Sequence, residues 1–308
     1  MKNIFKKIII ASSLLGLVFF YGCSEDDVLP IDVVVPNIDI SLSATTSDGT
    51  TLVDGGNVSA ADSFSIVISI TAEAGFNTLN TSGDVASSTI NRNDLDIASG
   101  TTNAEVTLTV STSNSLGDGS IDFEAVDEEG NTANASFSFV VVSPAAKIQT
   151  AVMLYAPLGD SSSQTFYSIA NNQTYSLGNV ISTSDPVSAS IDFGYYYGST
   201  DNAALASPAE YTIYDLSAWG SQNETTLAVT TITSAEYLEM VTVSDIETAI
   251  AGVDVTDANG TVTNLSANDI LMFKTVENIQ GLIHVKAITG TDGSDGMIEL
   301  EMKLAASE

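Results

Sequence analysis

The stretch Ser63-Phe-Ser-Ile-Val-Ile-Ser-Ile-Thr71 decides the fold of the first half of the chain. Its strongly apolar residues recur at every second position, as Phe64, Ile66, Ile68 and Ile70. Side chains of a β-strand alternate between two faces, so this spacing predicts a strand with one buried and one solvated face. The stretch therefore predicts an antiparallel β-structure whose core lies on one side of the sheet.

The same alternation recurs on both sides of this stretch, with turn-forming residues between the repeats. The alternating segments are 38–42, 104–111, 121–125 and 137–141. A turn cluster, Asp127-Glu-Glu-Gly-Asn131, precedes the last of them, and Pro144 closes the series. Roughly seven short strands in about 110 residues resemble an immunoglobulin-like (Ig-like) β-sandwich, which we assign to residues 37–143. Bacterial modules of this kind often serve as spacers.

The second half, residues 147–308, has more aromatic residues and two helix-start signals. Thr233-Ser-Ala-Glu236 and Ser244-Asp-Ile-Glu247 both fit a capping box, and Gly252 follows the second as a stop. A three-stranded meander is predicted over 269–275, 281–289 and 297–304. The chain is thus predicted to be all-β: an Ig-like β-sandwich followed by a second β-rich domain with one or two short helices.

A set of short motifs distinguishes this second half. They are Leu158-Gly159 with Phe166-Tyr-Ser168, Ile191-Asp-Phe-Gly-Tyr-Tyr-Tyr-Gly198, Ala206-Ser-Pro208, Asp269-Ile-Leu-Met-Phe-Lys-Thr275 and Gly281-Leu-Ile-His-Val-Lys286. Together they resemble an uncharacterised C-terminal domain of Bacteroidota surface lipoproteins, often found behind Ig-like or PKD-like modules. The resemblance covers residues 150–304 and implies no catalytic residues.

The N-terminus has the features of a lipoprotein signal peptide. Its basic residues are Lys2, Lys6 and Lys7. The uncharged run at 8–21 is shorter than the roughly 20 residues that span a bilayer as a helix. Gly22-Cys23 resembles a lipobox, which implies removal of residues 1–22 and acylation of Cys23, with palmitate as one such chain. Cys23 is the only cysteine in the chain, and more than one acyl chain gives stable anchoring. The alternative is a plain signal anchor with an incidental cysteine.

An acidic cluster follows Cys23 at once. It consists of Ser24, Glu25, Asp26 and Asp27. Such a cluster resembles the export signal of Bacteroidota surface lipoproteins, which implies a lipid-anchored protein at the cell surface, in the outer leaflet of the outer membrane. Serine at position 24 also argues against retention in the inner membrane. Residues 23–36 are predicted to be the acylated tether. The alternative for the cluster is an ordinary solvated linker.

The charge balance excludes several classes of partner. The formal net charge is −31, and it becomes −34 once the three signal-peptide lysines leave, because no acid leaves with them. So few basic residues cannot neutralise a row of phosphates, so no nucleic acid is expected as a partner. Attraction to anionic lipid head groups is excluded for the same reason, so the lipid anchor must hold the protein at the membrane.

No catalytic residues are predicted, and the chain is not expected to be an enzyme. His284 is the only histidine, and it is predicted to be a half-exposed sheet residue. No nucleophile elbow, phosphate-binding loop or zinc-binding helix motif occurs in the sequence. The usual nitrogen and sulfur ligands of zinc are missing too.

No cofactor is expected, apart from a structural calcium ion. Calcium prefers oxygen ligands, which acidic turns supply. Asp292 and Asp295 are the candidate ligands, and the loops 127–129 and 254–259 are further acidic turns. None of these loops has EF-hand spacing, and acidic turn residues most often only shape the turn.

Aromatic residues give the candidate ligand-binding site. They are Tyr196, Tyr211, Tyr214 and Trp219. Flat aromatic faces suit the apolar faces of sugars, so a glycan is the candidate ligand. The alternative is core packing, with Phe193 and Tyr195 inside the domain and Tyr196 on its surface.

Three functions remain open from the sequence. The first is a non-enzymatic binding or accessory module, for glycan or nutrient capture or for an envelope complex such as a TonB-dependent importer. The second is a purely structural or adhesive envelope protein. The third is a divergent glycoside hydrolase, which needs only two carboxylates at the correct separation.

Overall fold

The computed structural model describes residues 37–180, 187–255 and 258–307. The predicted signal peptide, Cys23, the acidic cluster and the tether lie outside these residues. Within them the chain forms 19 strands in four sheets, with three short α-helices and three 3₁₀ helices. The all-β prediction is confirmed. None of the helices in the described ranges is long and apolar enough to cross a membrane.

The first nine strands build one sandwich. They are β1 (Ile38–Thr46), β2 (Thr51–Leu52), β3 (Gly56–Ser59), β4 (Ser63–Ala72), β5 (Phe76–Gly83), β6 (Ser88–Asn91), β7 (Asn103–Ser111), β8 (Gly117–Asp127) and β9 (Thr132–Val142). One sheet has the order β2-β1-β4-β7 and the other β3-β9-β8-β5-β6. All neighbours are antiparallel except β3 and β9, which run parallel. A 3₁₀ helix, Arg92–Leu95, lies between β6 and β7.

The core of this first sandwich follows the predicted alternation. The four apolar residues of β4 are buried, and so are their counterparts Phe123, Phe137 and Phe139 from the facing sheet. The rings of Phe64 and Phe139 lie 5.1 Å apart, within the range of favourable aromatic pairs.

The remaining strands pair only with one another. They are β10 (Ala146–Tyr155), β11 (Gln164–Ser168), β12 (Gln173–Ser176), β13 (Phe193–Gly198), β14 (Asn202–Ala206), β15 (Thr226–Val229), β16 (Thr261–Val262), β17 (Ile270–Lys274), β18 (Gln280–Thr289) and β19 (Met297–Ser307). The β10 sheet has the order β10-β19-β18-β17-β15, and the β13 sheet has the order β12-β11-β13-β14-β16. The predicted meander is confirmed as β17, β18 and β19.

Helices and a long segment cover the outer faces of this second sandwich. The helices are α1 (Leu177–Val180), α2 (Ser234–Glu239) and α3 (Val243–Ala251), and the 3₁₀ helices are Val187–Ser190 and Pro208–Glu210. Tyr237 and Ile246 of α2 and α3 pack on the outer face of the β10 sheet. Tyr195 and Phe273 lie in the core between the two sheets. Because both faces of each sheet are covered, β13 and β17 contain runs of consecutive buried residues.

One predicted capping box is correct and the other is wrong. Thr233 caps α2, and its hydroxyl accepts from the Glu236 amide at 3.2 Å. The cap of α3 is Thr242, paired with Asp245. The helix begins earlier than predicted because the segment between the sandwiches supplies its first partners. The Val243 amide donates to the carbonyl of Pro144, and the Ser244 amide donates to Oγ of Ser143, both at 3.0 Å.

Candidate functional site

The four predicted ligand-binding aromatics converge on the outer face of the β13 sheet. With Phe166 they form the aromatic cluster, defined as Phe166, Tyr196, Tyr211, Tyr214 and Trp219. Ring centroids of Phe166 lie 5.0 Å from Tyr211 and 4.9 Å from Trp219. The ring of Tyr196 stands edge-on to Tyr211 at 5.8 Å. The sequence thus identified residues that meet in space, although up to 23 positions separate them.

Strand alternation and one glycine bring these rings together. Tyr195 points into the core of the sandwich, so its neighbour Tyr196 points to the outer face. Gly194 lies beneath the rings, where an added Cβ would stand 2.7 Å from Phe166 and 2.8 Å from Tyr211. Any side chain at this position would force the rings apart.

The rings bury one another and do not form an open platform. Tyr196 and Tyr211 are each 5% exposed and Trp219 is 8% exposed, whereas Tyr214 is only half-buried. The expectation of Tyr196 as a surface tyrosine is therefore wrong. Its cause is the segment 211–225, which folds over the outer face of the sheet and inserts Leu216 and Trp219. Ligand binding at these residues stays a prediction.

The hydroxyl groups of the cluster tie it to the backbone. Tyr211 donates to the carbonyl of Tyr195 at 3.0 Å, and Tyr214 donates to the carbonyl of Leu158 at 2.6 Å. Burial, followed by the neighbouring Tyr214, raises the pKa of Tyr211 well above its ordinary value, so the group stays a neutral donor. The indole Nε1 of Trp219 is buried and has no partner among the described residues.

Asn223 fastens the C-terminal end of the covering segment. Its Nδ2 donates to the carbonyls of Ala189 and Ile191 at 2.9 and 2.8 Å. Segment 211–225 contains no helix or strand of its own. Loops of this length without secondary structure are uncommon in compact domains and are often functional.

A buried polar network, which the sequence did not predict, lies at one end of the second sandwich. The Ile169 amide donates to Oδ2 of Asp192 at 2.7 Å, and Nε2 of Gln149 donates to the Ile169 carbonyl at 2.7 Å. The Tyr167 hydroxyl lies 3.1 Å from Oε1 of Gln149. An irregularity in β10, with Ala151 at a φ of 55°, accompanies the inward position of Gln149. The available sequence signal was a carboxylate directly before a run of buried residues.

Asp192 is an unusual carboxyl because it is buried without a basic side chain acting on it. It is 5% exposed. Burial, and to a smaller extent the negative charge of Glu277, raises its pKa to about 7, although the hydrogen bond from Ile169 opposes the shift. Strongly shifted pKa values are common at functional sites, but they also occur in structural networks.

His284 is buried, contrary to the prediction. It is 4% exposed because α2 covers this face of the β10 sheet. Its Nε2 lies 3.2 Å from Oγ of Ser234, and Ser234 also donates to the Asn268 carbonyl at 3.1 Å. Burial, followed by the charge of Lys286, lowers the pKa of His284. Its Nδ1 has no partner in the described ranges, so the pair lacks the third group that orients the base of an activated nucleophile.

Protein donors satisfy the carboxylates of the 127–129 turn. Asp127 accepts from the amides of Glu129 and Asn131 at 3.0 and 2.8 Å, and Glu128 pairs with Arg92. These contacts explain the turn without a bound ion.

The other calcium candidates are more open. Asp292 and Asp295 are exposed, and Asp292 accepts from the Thr291 hydroxyl at 3.2 Å. Part of the 254–259 loop lies outside the described residues. Over the described ranges, no three His, Cys, Asp or Glu side chains come close enough to hold a metal ion.

Comparisons with known proteins give no assignment. No family model matches the chain, and no curated protein matches it. A solved structure of a DUF4466 family protein from Parabacteroides merdae superposes with a TM-score of 0.38 at 8% sequence identity, over 86% of this chain and 98% of that chain. A similarity of outline at this level carries no functional assignment.

Proposed function

We propose that this chain is a non-enzymatic lipoprotein of the outer membrane, anchored through Cys23 and exposed at the cell surface. In this proposal the first sandwich is a spacer, and the second sandwich is the module that binds a glycan or an envelope partner. A TonB-dependent importer is the candidate partner, to which the chain would be an accessory subunit.

The observation that carries the proposal is the direction of the chain through the first sandwich. Asn37 lies at one end, where its amide donates to Glu73 at 3.1 Å beside the turn that contains Glu128. Val142 lies at the other end, where its carbonyl accepts from Ala60 at 2.8 Å. The chain therefore enters and leaves this sandwich at opposite ends, as a spacer between anchor and binding module requires.

The dimensions suit a spacer. A strand of nine residues such as β1 is about 30 Å long at roughly 3.4 Å per residue. The 14 residues from Cys23 to Pro36 reach at most about 50 Å when extended. The second sandwich would then stand several tens of ångströms from the membrane.

The topology of the first sandwich supports its assignment as Ig-like. Strands β1, β4 and β7 correspond to A, B and E of an immunoglobulin sandwich, and β9, β8, β5 and β6 correspond to G, F, C and C′. In the second sandwich, the half-buried Tyr214 and the segment around it provide the aromatic surface nearest to solvent, which supports glycan binding there.

The anchor is tested by metabolic labelling with a clickable fatty acid. We expect the wild-type chain to carry label and Cys23→Ser to carry none. Surface export is tested by replacing Glu25, Asp26 and Asp27 with alanine, which should keep the labelled protein away from external protease. Label on Cys23→Ser, or unchanged protease access in the second variant, would contradict the corresponding part of the proposal.

The partner is tested by a mild-detergent pull-down of the acylated chain from outer membranes, with mass spectrometry of the eluate. An importer recovered with the wild-type chain, and lost when the second sandwich is altered at Tyr214→Ala, supports the accessory role. Recovery of the chain alone overturns the importer as the partner.

A further inference from the structure

Eight strands border the four sheets in the described part of the chain, and seven of them are protected against pairing. Six of these edge strands, β2, β3, β6, β12, β15 and β16, have only two to four residues. The ten-residue β10 is interrupted between Gln149 and Val152 by an irregularity in its pairing with β19. Short strands and bulges are the usual devices that keep sheet edges from pairing with other chains.

The exception is β7. It has nine residues, pairs with β4 in an unbroken register from Asn103 to Ser111, and contains neither proline nor lysine. No described group hydrogen-bonds to the backbone on its open side. A regular strand of this length with a free edge offers a row of unpaired amides and carbonyls to an extended chain.

The inward face of β7 has an incomplete cover at one residue. Ala104, Val106 and Val110 are buried, but Leu108 is only half-buried. A strand added beside β7 would place alternate side chains on this same face, because pairing keeps the faces of a sheet continuous. An apolar side chain next to Leu108 would complete the core there.

The charge of the first sandwich selects the other face of the incoming strand. Residues 37–143 contain 15 carboxylates and one cation, Arg92, which already pairs with Glu128. On β7 the outward side chains are hydroxyls and amide apart from Glu105. Lysine or arginine opposite Glu105 would lie within cross-strand reach, whereas a second copy of this chain brings another 15 carboxylates.

We propose that β7 is a strand-addition edge for an extended segment of another protein, in which apolar residues alternate with lysine or arginine. The segment extends the sheet β2-β1-β4-β7 by one strand. This interaction surface belongs to the first sandwich and does not depend on the lipid anchor or on the aromatic cluster.

The test uses the full acylated chain in mild detergent and a capped ten-residue peptide of alternating valine and lysine. Hydrogen exchange is followed by mass spectrometry. We expect the peptide to slow amide exchange in 103–111 and to leave the short edge β12 unchanged. A peptide alternating valine and glutamate should give no protection.

The blocking variant is Thr107→Lys with Thr109→Lys, which places two lysines on the edge. The matched control is Ser41→Lys with Ser43→Lys, which adds the same charge to exposed positions of β1 within the same sheet. We expect the blocking variant to weaken peptide binding about tenfold or more and the control to bind as wild type.

Three results would overturn the proposal. They are absence of protection in 103–111, equal binding of the valine–glutamate peptide, and equal binding by the blocking variant. Sedimentation that shows a dimer abolished by the blocking variant alone would make a second copy the occupant, and would overturn the basic segment.

Discussion

Asp192 shows how a single residue couples this fold to pH. Its pKa is about 7 in the folded chain, compared with an ordinary value of 3.8. Between these values the folded state holds a proton that the unfolded state has released. The stability that Asp192 contributes is therefore complete below about pH 4 and is lost as the pH rises through about 7.

Replacing Asp192 with asparagine should remove this pH dependence. The asparagine side chain would keep an oxygen that accepts from Ile169 and could not ionise. We expect Asp192→Asn to unfold at higher urea concentration than wild type at pH 8, by roughly 2–4 kcal/mol, and with little difference at pH 4. Urea unfolding at both pH values measures this.

The matched control is Asp215→Asn. Asp215 is exposed, and hydrogen bonds from Ser217 lower its pKa, so it stays ionised between pH 5 and 8. Its replacement should leave the change in stability across that range as in wild type. A steep loss of stability above pH 7 in Asp192→Asn would show that another group causes the dependence.

At the scale of elements, the strands were predictable from sequence and their covers were not. Alternation in β4 and in β17 to β19 is a local property, because a side chain's face follows from its position along the strand. The burial of His284 and Tyr196 was missed, since it depends on α2 and on segment 211–225, which reach these faces from distant parts of the chain.

The same cause explains the misplaced start of α3. Ser244 and Glu247 have the correct spacing for a capping box, but the partners at Ser143 and Pro144 are about 100 residues away. A local motif cannot report such a contact. The four candidate aromatics were gathered correctly, because large aromatic residues in one domain tend to share a core; their covering was not foreseen.

The segment 211–225 gives a prediction at this scale. Trp219 packs on Phe166 and fills the space between the segment and the sheet. We expect Trp219→Ala to destabilise the chain by about 3 kcal/mol and to speed amide exchange across the segment. Ile213, which is 48% exposed in the same segment, is the control, and Ile213→Ala should have little effect. An unchanged stability in Trp219→Ala would favour a ligand-contacting tryptophan over a packing one.

At the scale of the molecule, the proposed anchor and the direction of the first sandwich fix an average orientation above the membrane. Glu129 is exposed in the turn at the end where Asn37 lies, and Ser115 is exposed at the end where Val142 lies. Under the proposed function, position 129 is nearer the lipid than position 115 by up to about 30 Å, the length of the strands between them.

This orientation is measurable because Cys23 is the only cysteine and its thiol would be acylated. A cysteine introduced as Glu129→Cys or Ser115→Cys is then the one free thiol for a donor dye, in vesicles that carry a lipid-linked acceptor. We expect stronger energy transfer from position 129 than from position 115. With Cys23→Ser, transfer should fall at both positions, because the chain leaves the membrane. Equal transfer would mean that the first sandwich lies flat on the surface, and stronger transfer from position 115 would reverse the spacer. Either result would remove the reason to place the binding module at the distal end, whichever partner it has.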